Sequence, residues 1–178
     1  MTSEPFTPEL RSERLVLSAY AASDESDFVA LFQDEAVGRW FGDGMRSAEA
    51  DRALFARLFG IVYAEARFPV WAVRHEGRYA GHAEIKPSPE PWLDGHEIVY
   101  GLSRSSWGLG LGTELARLLT DHGHRTLGLA EVHATVDALN TPSIAVLKRL
   151  GFTQGREVRE DDGSTTLQFT SRAADWPT

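Results

Sequence analysis

Cysteine does not occur among the 178 residues, so disulfides, thiolate metal sites and a covalent cysteine intermediate are all excluded. Any group this chain transfers must pass directly from donor to acceptor. Long apolar runs are missing as well, because charges or glycines interrupt every stretch before it nears the ~20 residues of a membrane span. The N-terminus has acidic Glu4 and no basic segment of the kind a secretory leader needs, so we expect a soluble, cytoplasmic protein with no membrane partner. A basic stripe is lacking too. At a formal charge of −8 the surface repels a phosphate backbone, and no nucleic-acid partner is expected. What remains, 178 residues with 42% hydrophobic content, is enough for a substantial core, and we expect one domain over residues 1–178.

Patterning divides the chain into strands and helices in mixed order. Arg14-Leu-Val-Leu-Ser18 reads as a strand, followed by a helix from Asp24-Glu25 to about Gln33. After a loop at Trp40 to Gly44, Ser47 is placed to cap a second helix with Leu54, Phe55, Leu58, Phe59 and Val62 as its apolar stripe. Val70 to Arg74 and Tyr79 to Ile85 flank His75-Glu76-Gly77 as a hairpin. Pro87, Pro89 and Pro91 then forbid regular structure until the strand Glu97 to Leu102. A helix from Thr113, with Gly123 as its stop, leads to a short buried strand over Val132 to Val136. Asn140-Thr-Pro142 opens a helix that Gly151 closes, and Phe152 to Arg159 with Thr165 to Ser171 form a terminal hairpin.

Between a strand and a helix start lies Trp107-Gly-Leu-Gly-Leu-Gly-Thr-Glu114. Such a turn binds anions because unpaired N–H groups and the positive end of the helix dipole face outward, while glycine lets a phosphate reach the backbone. A nucleoside triphosphate loop needs Gly-Lys-Ser/Thr, and Gly112 is followed by Thr113-Glu114 with no lysine. A dinucleotide loop needs a third glycine where Thr113 stands and an acid ending the next strand, whereas Glu131 precedes its strand.

The loop, with Glu97-Ile-Val-Tyr-Gly-Leu102 before it, resembles motif A of the GNAT superfamily of N-acetyltransferases, most closely the subgroup of ribosomal-protein N-acetyltransferases that includes RimJ and RimL. Trp107 favours that subgroup, since the wider superfamily usually has Gln or Arg there. A second match follows downstream: Asn140-Thr-Pro-Ser143 and Leu147-Lys-Arg-Leu-Gly-Phe152 resemble the subgroup's motif B. With Arg11 to Leu17 and Leu167 to Trp176 included, the resemblance covers nearly the whole chain.

The resemblance implies an α/β (α+β) fold: a mixed, mostly antiparallel central sheet of about seven strands, helices on both faces and a splay between two central strands. It implies acetyl-coenzyme A as co-substrate. The backbone of Trp107, Gly108, Leu109, Gly110, Leu111, Gly112 and Thr113 would hold the diphosphate, Leu102 and Ser103 would pair with the pantetheine arm, and Asn140 and Ser143 would meet its thioester end. Asn140 also suits an ordinary helix cap. The implied activity is direct acetyl transfer to a primary amine, with a protein N-terminal α-amine as the leading acceptor. A small-molecule amine, and a protein that binds acyl-coenzyme A without turnover, are the alternatives. Similar proteins commonly dimerise, so a homodimer is an open expectation for which the sequence marks no face.

The chemistry needs a base, because an amine attacks only when neutral and α-amines have pKa ~8 against ~10.4 for lysine, a gap that makes the α-amine the easier substrate. Glu97 and Glu84 are the candidates, both on strands inside the sheet; Glu97 ranks first because it lies nearest the loop, and period two puts His82 beside Glu84. Each has a solvated strand-end position as its plainer explanation. Many superfamily members donate a proton to the leaving thiolate from a tyrosine where this chain has Leu147, so by resemblance the role shifts to Ser143, which would orient or stabilise the sulfur. Tyr100 and Trp107 are either channel-lining or core. His122 and His124, two apart on a helix, point away from each other, and no metal is expected.

Overall fold

The computed structural model describes residues 6–177, and Glu4 lies outside them. The chain forms two compact units, each described by itself. The first comprises the described part of Met1–Glu84 together with Tyr100–Leu111. Its edge is β1 (Leu10–Arg11), a strand the sequence pattern does not announce. Ser12 N–H donates to Leu15 O (3.0 Å) and turns the chain back, pairing Leu10 with Leu17 and Arg11 with Val16 on β2 (Leu15–Ser18). β2 pairs antiparallel with β3 (Val70–His75), and β3 with β4 (Arg78–Pro87). Glu76 and Gly77 both take positive φ (50° and 75°), as a two-residue turn between twisted strands requires.

Alternation along β4 is broken once. The register runs from Val73↔Gly81 to Arg74↔Tyr79, so Ala80 is an extra residue and β4 bulges. A spacing of three would put Tyr79 and His82 on opposite faces; the bulge puts Tyr79 on the face of His82 and Glu84. That face also carries Val70 and Ala72, which pair with Glu84 and His82.

Over it lies an aromatic core of Phe28, Leu31 and Phe32 from α1 (Glu25–Gln33), Val37 from α2 (Glu35–Gly38) and Phe55 from α3 (Ala48–Arg57). Ser47 caps α3 as expected, its Oγ accepting from Ala50 N–H at 3.1 Å. The expected stripe of α3 needs one correction: Leu54 is exposed, and fully buried Asp51 takes the inward position. Arg46 Nε (2.9 Å) and Gln33 Nε2 (2.6 Å) donate to its two carboxylate oxygens, which makes that burial tolerable. A wider π-type turn, Leu58–Tyr63, extends α3 and aims Tyr63 back at the sheet, where its hydroxyl accepts from Tyr20 N–H and donates to Val70 O.

The second unit comprises Ile85–Val99 and the described part of Gly112–Thr178. Here β5 (His96–Leu102) meets β6 (Glu131–Asp137) in parallel at Glu97↔His133. β6 runs antiparallel to β8 (Thr165–Arg172), which pairs on its other side with β7 (Thr153–Arg159) to complete the expected terminal hairpin. α4 (Leu111–Asp121) begins two residues before Thr113 and does not stop at Gly123. A π-type turn, His122–Thr126, continues it, and Gly128 stands beyond in the left-handed region at φ 68°. Gly123 serves packing instead: a Cβ there would come within 2.8 Å of Val132 Cγ2. α5 (Thr141–Arg149) follows, with Gly151 closing it at φ 82°.

The strand order is β1-β2-β3-β4-β5-β6-β8-β7, a mixed, mostly antiparallel sheet of eight strands, β1 being the addition to the expected seven.

Candidate active site

The glycine loop leaves β5 at Leu102. Ser103 N–H donates to Ala80 O (2.8 Å), and the Trp107 indole N–H reaches back to Leu102 O (2.8 Å). Each of these groups is thus partnered within the chain, and the Leu102 carbonyl keeps a second lone pair. A short helical turn over Arg104–Ser106 is followed by Gly108 and Gly110, both left-handed at φ 74° and 77°. Left-handed glycines alternating with other residues are the backbone pattern from which anion nests are built. A Cβ on Gly108 would meet no heavy atom within 4 Å, so the space over the backbone is open. Arg14 Nη1 donates to Leu109 O at 2.7 Å and brings a guanidinium to the nest. Backbone shape, a helix N-terminus and a cation together fit a diphosphate. Trp107 and Leu109 are half exposed, so the core reading of Trp107 does not hold.

In the same unit, Glu84 and His82 do share a face, and they touch. His82 Nε2 lies 2.8 Å from Glu84 Oε1, while His82 Nδ1 lies 2.8 Å from Tyr20 Oη, itself 2.9 Å from Tyr79 Oη. His82 and Tyr20 are buried, and the Glu84 side chain stays 17% exposed. The rings of Phe28, Phe32 and Phe41 stand edge-on around His82. Burial holds the Tyr20 and Tyr79 hydroxyls well above the ordinary phenol range and pushes Tyr63 up to about 12, so all three stay protonated.

The second unit holds the remaining expected residues. Glu97 is buried, and its Oε2 accepts from Ser88 Oγ and Thr135 Oγ1, both at 3.1 Å. Burial raises its pKa; the hydroxyls and Lys86 only partly offset this. Asn140 acts as the N-cap of α5, accepting from Ser143 N–H at a long 3.4 Å, which brings these two residues together. Thr113 Oγ1 accepts from Arg149 Nη1 at 2.9 Å. Leu147 is 1% exposed, a core position. A groove of about 690 Å³ runs between His96, Glu131, His133 and Arg172, and none of the expected site residues lines it. Among the described residues, no cluster of three or more His, Cys, Asp or Glu is arranged to hold a metal ion.

Sequence reasoning missed Arg14, Tyr20 and Tyr79. Arg14 meets Leu109 from 95 residues away, and the bulge that turns Tyr79 inward leaves no mark in the residue pattern. Tyr20 offered only its place just after a strand.

Residues 14–153 match the family model described as an acetyltransferase (GNAT) domain. An uncharacterized N-acetyltransferase, p20, from Bacillus licheniformis is 43% identical over 56 residues, 32% of each chain. Another, YoaA from Bacillus subtilis, is 25% identical over 160 residues, covering 86% of this chain and 87% of the relative. The solved structure of RimL, described as a ribosomal L7/L12 alpha-N-protein acetyltransferase in complex with coenzyme A, superposes with a TM-score of 0.76. It is 17% identical, over 92% of this chain and 97% of RimL, and so speaks to fold alone.

Proposed function

Because this chain belongs to the acetyltransferase (GNAT) family, we propose that it carries an acetyl group from acetyl-coenzyme A directly to a primary amine, with a protein N-terminal α-amine as acceptor. The observation that carries the cofactor is the nest at Gly108 and Gly110, with Arg14 beside it. Its N–H groups and the guanidinium would hold the diphosphate, with Trp107 to Thr113 as the cradle and Leu102 and Ser103 beside the pantetheine arm. The bound co-substrate supplies an activated acetyl thioester. Asn140 would meet its thioester end, with Ser143 beside the sulfur.

Glu84 and Glu97 are the two proposed bases, and we rank Glu84 ahead of Glu97, the first choice from sequence. Glu97 is buried, and one of its oxygens already serves two hydroxyls. Glu84 keeps part of its side chain exposed and touches an imidazole, the arrangement a carboxylate needs to receive a proton and lose it again. Acceptor choice rests on the motif resemblance to the ribosomal-protein N-acetyltransferase subgroup, on the lower pKa of an α-amine, and on a net negative charge that favours cationic partners. The same reading takes the chain as one acetyltransferase domain working in the cytoplasm, with a homodimer as its proposed assembly. No helix among the described residues is long and apolar enough to cross a membrane.

Thiol release from acetyl-coenzyme A tests the proposal, measured with peptides bearing free α-amines, with lysine derivatives and with polyamines. Peptide-stimulated release is the expected result. Release stimulated by polyamines alone would move the acceptor class to small molecules. If no amine accelerates release while acetyl-coenzyme A still raises the melting temperature, the chain binds the cofactor without turnover.

A further inference from the structure

We propose that Tyr79, Tyr20 and His82 form a proton relay that drains Glu84, returning the proton taken from the acceptor amine to solvent. This rests on the acetyl-transfer reading above. A base that accepts one proton per turnover must also lose one per turnover, and a carboxylate with an internal exit does so without reopening to water.

The chain of contacts is continuous. Glu84 Oε1 to His82 Nε2, His82 Nδ1 to Tyr20 Oη, and Tyr20 Oη to Tyr79 Oη span 2.8, 2.8 and 2.9 Å, all within hydrogen-bond reach. Its middle members are buried while both end residues keep partial exposure. Phe28, Phe32 and Phe41 around the imidazole keep water from short-circuiting it. A polar file through an aromatic core is costly where apolar side chains would pack, and the bulge at Ala80 is what brings Tyr79 into it.

Protons balance along the file. With His82 in its Nδ1–H tautomer, the ammonium gives its proton to the Glu84 carboxylate, and the new O–H donates to the His82 Nε2 lone pair. His82 Nδ1–H then passes its proton to Tyr20, Tyr20 passes its own to Tyr79, and Tyr79 releases one to water. The amine is left neutral, Glu84 is again a carboxylate accepting from Nε2–H, and neither tyrosine becomes a phenolate. Exchange of the imidazole tautomer and rotation of the two hydroxyls reset the file. The raised pKa values of Tyr20 and Tyr79 agree with carriers that hand on one proton as they take another.

Other titratable groups face this file. Asp24 and Asp27 lie on the α1 side, Arg74 on β3 holds both Asp24 oxygens at 2.8 and 2.9 Å, and Tyr63 bonds the Tyr20 backbone. The Asp24–Arg74 pair offsets itself, and Asp27 leaves one negative charge on that side.

Rate profiles against pH test the relay, using the full chain and its best amine. Tyr20→Phe keeps the ring but removes the bridging hydroxyl; kcat should fall on the order of 100-fold at neutral pH and recover as pH rises, while KM for acetyl-coenzyme A stays the same. His82→Gln should behave alike. Tyr63→Phe, a partly buried hydroxyl outside the file, should lower the melting temperature and leave the profile's shape unchanged. A wild-type profile in Tyr20→Phe and His82→Gln, or a loss equal at every pH, would overturn the relay and leave acetyl transfer standing. A wild-type chain that binds acetyl-coenzyme A and acetylates no amine would remove that reading and the relay with it.

Discussion

Gly81 shows how closely a single residue can be constrained without touching a ligand. A Cβ added there would lie 2.2 Å from Gly101 O and 3.0 Å from Leu102 Cδ2, so the backbone where the glycine loop leaves β5 has no room for a side chain. Gly81→Ala should cost about 1–3 kcal/mol through forced displacement, read as a lower urea midpoint; an unchanged midpoint would show that the strands give way freely. His133 carries a different kind of constraint. Burial lowers its pKa below the usual 6.5, despite the pull of Glu131 in the other direction. The folded chain therefore binds fewer protons than the unfolded chain in the window just below 6.5. Stability that is complete above that value is lost as pH falls through the folded pKa. His133→Gln should flatten the fall in melting temperature between pH ~7 and ~5, whereas curves that stay parallel would assign the fall to other groups.

Among the elements, α5 is the one the sequence describes most fully. Asn140, Pro142 and Gly151 mark its start and end, and all three stand where capping chemistry needs them. Asn140→Ala should cost about 1 kcal/mol of stability, while Asn140→Asp keeps the acceptor oxygen and the helix; equal losses in both would mean that the side chain's weight lies elsewhere. Ser47, the Glu76-Gly77 turn and the terminal hairpin were legible for the same reason, since each depends on a few adjacent residues. What was not legible depends on distant partners. Gly123 looked like a helix stop because nothing local reveals that Val132 Cγ2 presses against it. Leu54 lies exposed and Asp51 buried because Arg46 and Gln33 satisfy the carboxylate, a compensation that periodicity does not register. In the candidate site, the glycine loop and both carboxylates were readable as motifs and positions. The partners of Glu84 were not, beyond His82, because a one-residue bulge inverts the alternation on which such reading depends.

At the scale of the whole molecule, family membership and the eight-strand sheet agree with a chain that has no cysteine and a net charge of −8. Without a thiol there is no covalent way-station on cysteine, and in the direct transfer proposed above, deprotonating the amine is the main task. An N-terminal α-amine asks least of the base, and an acidic surface draws cationic acceptors toward it. Mass analysis with fragmentation to locate the acetyl group, on one peptide with a free α-amine and a lysine after incubation with the chain and acetyl-coenzyme A, tests this most directly. A single acetyl group on the N-terminal nitrogen is the result predicted; acetylation of the lysine alone, or a peptide of unchanged mass, would contradict it.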